Sequence, residues 1–412
     1  MKIATLLLVS FFFLMELSAQ ETQKRTDSVR KVIDNFAKLQ DKEISETDKI
    51  KKMFKKGEAS GQLKLIYSTT PDTQEAYATA IGGIMKYELA TYRGFNAGAA
   101  AYVSYDIPFA SGEGTKRSSE LSSSEGDYMD MGEAYLNYRY ENLNFRGGRQ
   151  VLDTPLADSD DIRMIQNSFE AYILSYEYNG IEFMAGNLQS WSGYDAGLDE
   201  TWTKTGSDGV NFAGVTYADS LEFDTWFYNI TGMANTAYFD LGVEYKINAE
   251  LLIRTMLQYL HQRELDNSGV EATIYGLLAE LVIGNLGLNI SLNKSEKHQN
   301  KESFSGFGGG ALFTNMDTMI IDEIAKDREA LSYVAGFSYH YKELSFLYAY
   351  GDFSGDEDSN GIKAHIVEQN IAMGYNINEE FVVGVLLARQ ENVEDTQSSW
   401  NRAQVKLNYN FK

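Results

Sequence analysis

The chain has 412 residues, a formal net charge of −23, no cysteine and 27 tyrosines. Without cysteine there is no disulfide framework, thiolate nucleophile or thiolate-bound metal. The acidity argues against nucleic acid as a partner, because phosphates need a cationic surface. A mean hydropathy of −0.34 resembles that of a soluble protein, but a transmembrane barrel averages the same because half of each strand faces a polar lumen.

The N-terminus has a short basic start at Lys2, an apolar run from Ile3 to Leu14, and small residues at Ser18-Ala19. This reads as a secretory signal peptide over residues 1–19, too short to be a spanning helix. No later run reaches the ~18 apolar residues that a membrane helix needs. Residues 20–56 are rich in Lys, Asp, Glu and Gln, with Val29, Val32, Ile33, Phe36 and Leu39 at helical spacing. That pattern predicts an amphipathic helical extension in the periplasm. Docking on the remainder of the chain, plugging it, pairing with other copies and free mobility all stay open for this extension.

From Glu58 onward the period changes from 3.6 to 2. Leu286, Leu288, Ile290 and Leu292 alternate with Gly287, Asn289, Ser291 and Asn293. Phe239, Leu241, Val243, Tyr245 and Ile247 alternate with Asp240, Gly242, Glu244 and Lys246. Strands with one apolar face and one face of charges, amides and glycine have one side in hydrocarbon and the other in water. About eighteen such segments lie between residues 58 and 411, averaging ~11 residues, enough to cross a bilayer at a ~45° tilt. Short turns such as Asn179-Gly180, Gly284-Asn285 and Lys342-Glu343 alternate with long polar stretches at 108–127, 152–166, 191–206, 295–329 and 353–362. This is the connection pattern of an outer-membrane barrel. The predicted fold is therefore all-β: a transmembrane antiparallel β-barrel over residues 57–412.

The last strand adds a signal of its own. Val405, Leu407, Tyr409 and Phe411 alternate with Gln404, Lys406, Asn408 and Asn410. An apolar alternation ending in an aromatic residue resembles the assembly signal of such barrels, and Lys412 after the aromatic is a departure. The expected partners are outer-membrane lipids and lipopolysaccharide, the assembly machinery, and solutes in the lumen, with association into homo-oligomers left open.

Catalytic patterns are thin. The four histidines, His261, His298, His340 and His365, form neither an HExxH motif nor an i, i+4 pair. Ser338 and His340 share one strand face, a spacing that arises often by chance. Gly306–Gly310 lacks the lysine and helix start of a phosphate loop. No enzyme, metal or cofactor is expected.

The charged stretch between the strands at 143–151 and 168–178 holds Arg149, Asp158, Asp160, Asp161 and Arg163. Such a loop, folded into the barrel near residues 152–166, would narrow the lumen, and its opposed charges would orient permeating ions. The other reading is an external loop stitched by surface ion pairs of little energetic weight. Arg149 has the parity of Phe145, an outward position. It therefore lies beyond the hydrocarbon, or Gly147-Gly148 marks a bulge that turns it inward, since an Arg at mid-bilayer costs ~2–4 kcal/mol. Cleaner strands supply further lumen candidates: Glu133, Arg139, Asp240, Glu244, Arg254, Glu280 and Glu368.

The run Gly148-Arg149-Gln150, then Thr154-Pro155, Asp160-Asp161-Ile162-Arg163 and Ser168-Phe169-Glu170 resembles the OprD-like outer-membrane porins. Gly308–Asn315 is similar to a segment of that family's later loops. The resemblance spans about residues 55–412, with only 148–170 specific, and Arg149, Asp161 and Arg163 match the motif. It implies an eighteen-stranded barrel with an inward constriction loop and a basic lumen track that admits small polar, often carboxylate-bearing, solutes. The acidic extension at 20–56 departs from the simplest pattern. Passive diffusion of ions and small polar solutes is then the expected function. A structural or adhesive surface barrel without significant transport is the alternative.

Overall fold

The computed structural model describes residues 46–70, 76–199, 202–395 and 398–412. The expected signal peptide and most of the expected extension lie outside these residues. The chain divides into two units, residues 1–55 and 56–412. In the first, Glu46–Lys55 forms a helix in which Ile50 and Phe54 are half-exposed.

The second unit is an eighteen-stranded closed antiparallel barrel. Its strands are β1 Glu58–Thr70, β2 Ala76–Glu88, β3 Phe95–Asp106, β4 Asp127–Tyr140, β5 Leu143–Gln150 and β6 Ser168–Tyr178. There follow β7 Ile181–Ser192, β8 Val210–Ala218, β9 Leu221–Ile230, β10 Ala234–Asn248, β11 Leu251–Glu264 and β12 Ala272–Ile283. The last third is β13 Leu286–Ser295, β14 Ala330–Tyr341, β15 Leu344–Gly355, β16 Ala364–Asn376, β17 Phe381–Asn392 and β18 Trp400–Phe411. Each strand pairs with its chain neighbour, and β18 closes on β1 in a register running from Gly61↔Phe411 to Ser68↔Gln404. Closure leaves no sheet edge, the condition for a sheet to sit in lipid.

The period-2 pattern sorts the side chains as expected. In β18 and β1, Val405, Leu407, Leu63 and Leu65 point outward and are exposed, whereas Arg402, Gln404, Lys64 and Ser68 are buried inside. The residues of the C-terminal alternation thus build the outer face of the closing seam. Gly61 lies opposite Phe411, and a Cβ there would strike the Ile84 carbonyl of the neighbouring strand. Three strand pairings carry register shifts, at Ala100/Ala101, Glu170/Ala171 and Lys246/Asn248. None falls in β5.

The barrel is not empty. An apolar core inside the wall joins Leu152, Leu156 and Ala157 of one loop with Phe307, Leu312, Met319, Ile321 and Ile324 of another. Both loops pack on lumen-facing Phe212, Trp226, Tyr228 and Tyr238. Connections on the long-loop side therefore fold inward, and the burial of apolar side chains, worth roughly 1.5–3 kcal/mol each, holds them there.

Candidate constriction and lumen

The loop between β5 and β6 begins as a tight ribbon. Asp153-Thr154 pair with Ala157-Asp158, Thr154 Oγ1 donates to the Ala157 carbonyl at 3.1 Å, and Pro155-Leu156 form the tip. Leu156 is buried, and its carbonyl accepts from Phe307 N at 2.9 Å. Asp158 N donates back to the Phe307 carbonyl at 3.3 Å. The long loop 296–329 thus lies along the ribbon, and apolar burial and main-chain bonds lock the two together.

Past the ribbon, the chain crosses to the seam. Asp161 meets Lys64 and also accepts from Gln62 Nε2 at 3.0 Å. Lys64 Nζ donates to the Arg163 carbonyl at 3.0 Å, and Lys406 Nζ to the Ile162 carbonyl. The Arg163 guanidinium lies 3.5 Å from Asp317 and 5.1 Å from the centre of the Tyr194 ring. Arg402 binds Asp317 at 2.7 Å on one side and Glu120 on the other. Glu120 also accepts from Ser68 Oγ at 2.9 Å. Three loops are therefore tied to one cationic row on β1 and β18. Residues 161–163 thus lie against the inner face of β1 and β18.

Asp158 turns the other way. With Asp153, Glu182, Glu222, Asp224 and Asp240 it lines a cavity of about 540 Å³ between the ribbon and the short-turn ends of β7–β11. Arg254 lines the cavity too, but its guanidinium is held bidentate by Glu222 at 2.5 and 2.8 Å. Asp224 and Asp240 are register partners on β9 and β10. These strands stand nine places from the seam in the ring of eighteen, on the opposite wall. The lumen thus has a cationic side and an anionic side.

Burial, with Asp153 and Asp160 nearby, pushes the Asp158 carboxyl up to about 6. Asp160 is raised as well, by burial and then by Asp195. The docked loop favours protonated Asp158, so docking is strongest below 3.8, weakens as pH rises, and levels off above about 6. Ionisation of the docked carboxyl, centred on about 6, adds a negative charge to the cavity. The cation-to-anion permeability ratio should therefore climb between roughly pH 5 and 7, and Asp158→Asn should flatten the climb. A reversal-potential titration that shows the same step in the variant would remove Asp158 from the pore.

Arg149 does not join this group. β5 pairs without interruption with both neighbours, so Arg149 keeps the outward parity of Leu143 and Phe145. Gly148 has φ +115° but introduces no bulge. Arg149 sits one residue from the loop end of its strand, 3.7 Å from Asp130 and 4.3 Å from the centre of the Trp202 ring. By register it keeps the parity of Phe145, and its contacts lie at the loop end of the wall, apart from the seam network.

The other lumen candidates are mostly engaged. Glu133 binds Lys86 at 2.7 Å and accepts from Tyr102 at 3.3 Å. Glu368 is fully buried and accepts from Thr318 N and Oγ1 at 3.2 and 2.6 Å. Asp240 accepts from Tyr238 at 2.9 Å. Glu280 faces Arg254 in register. Glu244 pairs with Lys246 at 3.0 Å, and Arg139 lies exposed near the short turn, with Nε 3.4 Å from the Glu141 carbonyl. Among the described residues, Ser338 and His340 share no hydrogen bond.

Sequence reasoning did not nominate Lys64, Arg402, Lys406, Glu120 or Asp317. The three cations were findable as polar positions on the inner parity of β1 and β18. The two acids sit in loops, where no periodicity marks them.

A family model described as "outer membrane porin, OprD family" matches residues 94–381. No curated protein gives a significant sequence match. Among solved structures, OccAB4 of Acinetobacter baumannii superposes with a TM-score of 0.76 at 17% identity, covering 86% of this chain and 98% of that one. Pseudomonas aeruginosa OpdK, solved with vanillate, gives 0.75 at 16% identity, covering 87% and 99%. OccK9 (OpdG) of the same organism gives 0.76 at 12%, covering 87% and 99%. At these identities the likeness is one of fold.

Proposed function

This chain belongs to the OprD family of outer membrane porins, and on that premise we propose that its preferred solutes are small carboxylates that also carry a cationic group. Passive diffusion of small polar solutes across the outer membrane is the general function. The finer reading concerns which solutes, and one observation carries it: the charges are segregated across the lumen. Lys64, Lys406, Arg402 and Arg163 gather at the seam. On the opposite wall Asp224 and Asp240, facing Asp158 and Asp153 of the ribbon, line a cavity whose lining cation, Arg254, is held by Glu222. Opposed rows of charge set up a transverse field that aligns a dipolar solute, carboxylate to one wall and ammonium to the other. One structural neighbour was solved with vanillate, a carboxylate, which supports the anionic half of the reading.

Uptake into liposomes, comparing a zwitterionic amino acid with its amide and its N-acyl derivative, tests the proposal. The zwitterion should enter fastest. Arg163→Ala should slow carboxylate-bearing solutes by roughly tenfold, the factor for ~1.4 kcal/mol, near the lower end for a hydrogen bond to a charged group. Equal rates for all three solutes, with Arg163→Ala unchanged, would reduce the protein to a general pore.

A further inference from the structure

We propose that Asp317 is an internal competitor for the solute's carboxylate, holding the loop 296–329 over the cationic seam until a solute displaces it. The inference rests on the carboxylate reading above. Asp317 lies between two guanidiniums, 2.7 Å from Arg402 and 3.5 Å from Arg163. The side chains of Arg163, Arg402 and Asp317 are only 3%, 5% and 8% exposed. Lys64 is equally withdrawn, against Asp161 and the Arg163 carbonyl. The cations that would read an anionic solute are thus engaged by the protein's own acids and carbonyls.

The fit of Asp317 is incomplete. Both Arg163 and Arg402 keep a buried Nε–H with no partner, and the contact with Arg163 is at the long end of ion-pair range. A guanidinium binds a carboxylate best in a fork, through two parallel N–H bonds. A solute carboxylate free to orient can take that geometry, whereas Asp317 is constrained by its backbone. Its loop is anchored elsewhere through Phe307 and the Gln258 and Asn293 contacts to residues 311–314. Thr318 beside it is tied to Glu368 through N and Oγ1, so the Asp317 side chain can swing off the guanidiniums while its loop stays docked. Because the bound acid must leave first, apparent solute affinity is reduced by the fraction of time the row is free.

Single-channel recording in planar bilayers with full-length protein tests this, using benzoate as the probe and benzamide as its uncharged counterpart. In Asp317→Asn the benzoate concentration that halves the current should fall by about tenfold or more relative to wild type. Benzamide should behave alike in both, and Asp317→Glu should keep the wild-type value. Unchanged or weaker benzoate block in a folded Asp317→Asn barrel overturns the proposal, as does an equal gain for benzamide. If Asp317→Asn does not fold, Glu120→Gln frees the other side of Arg402 and should shift benzoate block in the same direction; no shift there overturns the proposal. Benzoate without effect on any conducting variant, wild type included, overturns the carboxylate reading and the proposal with it. Block of wild type with no tightening in Asp317→Asn overturns the proposal alone.

Discussion

Arg402→Ala should destabilise the folded state by ~3–5 kcal/mol, the range for removing one partner of a buried ion pair. Arg402 is 5% exposed and serves two acids from different loops, Glu120 and Asp317. Without it, Glu120 retains Ser68 as a neutral donor, and Asp317 retains Arg163 at 3.5 Å. Two carboxylates would then stay buried against one loosely placed cation. The loops should loosen and anion permeability should fall, because the variant removes a positive charge from the seam. Arg402→Lys should recover part of the stability and little of the geometry, since an ammonium cannot reach two acids as a planar fork can. A denaturation midpoint and reversal potential both matching wild type would show that the network contributes nothing.

Phe307→Ala should act on the loops and leave the barrel wall in place. Phe307 is 5% exposed. It packs edge-on against Trp191 at 5.6 Å and Phe304 at 5.0 Å, and its main chain bonds both ways with the ribbon at 156–158. Truncating a buried Phe costs ~3–5 kcal/mol through lost burial and the cavity left behind. That cost falls on the docking of 296–329 against 151–167, since the eighteen-stranded ladder does not pass through Phe307. The expected result is a larger, noisier conductance and faster proteolysis within 296–329, with heat-modifiable gel migration of the barrel retained. Wild-type conductance and protease resistance together would show that the two loops do not depend on this side chain.

Arg149 shows both the power and the limit of reading the pattern. Its parity with Phe145 left two readings, beyond the hydrocarbon or turned inward by a bulge at Gly147-Gly148, and the pairing of β5 shows no bulge there. The family-like motif around it pulled the other way, because a motif records residue types along the chain and says nothing of which side of the wall they stand on. The register shifts lie in other strands, at Glu170/Ala171 among them. Asp161 and Arg163, matched by the same motif, do reach the seam, since the loop carrying them leaves the wall and is free to turn inward.

Alternation along each strand, the short turns against long loops, and the exposed apolar face of Val405–Phe411 are local properties. Period 2 acts between neighbouring residues, and membrane and water impose it on every strand alike, so the barrel and its strand number could be read from the chain. The cationic seam is not local. Arg402 meets Glu120 across 282 positions, and Lys64 meets Asp161 across 97. Those contacts exist because β18 closes on β1 and because three loops fold into the space that closure encloses. The pairing of Asp317 with Arg163 and Arg402, and the placing of Asp224 and Asp240 on the wall opposite, were decided by ring closure and loop packing, which no window of sequence contains.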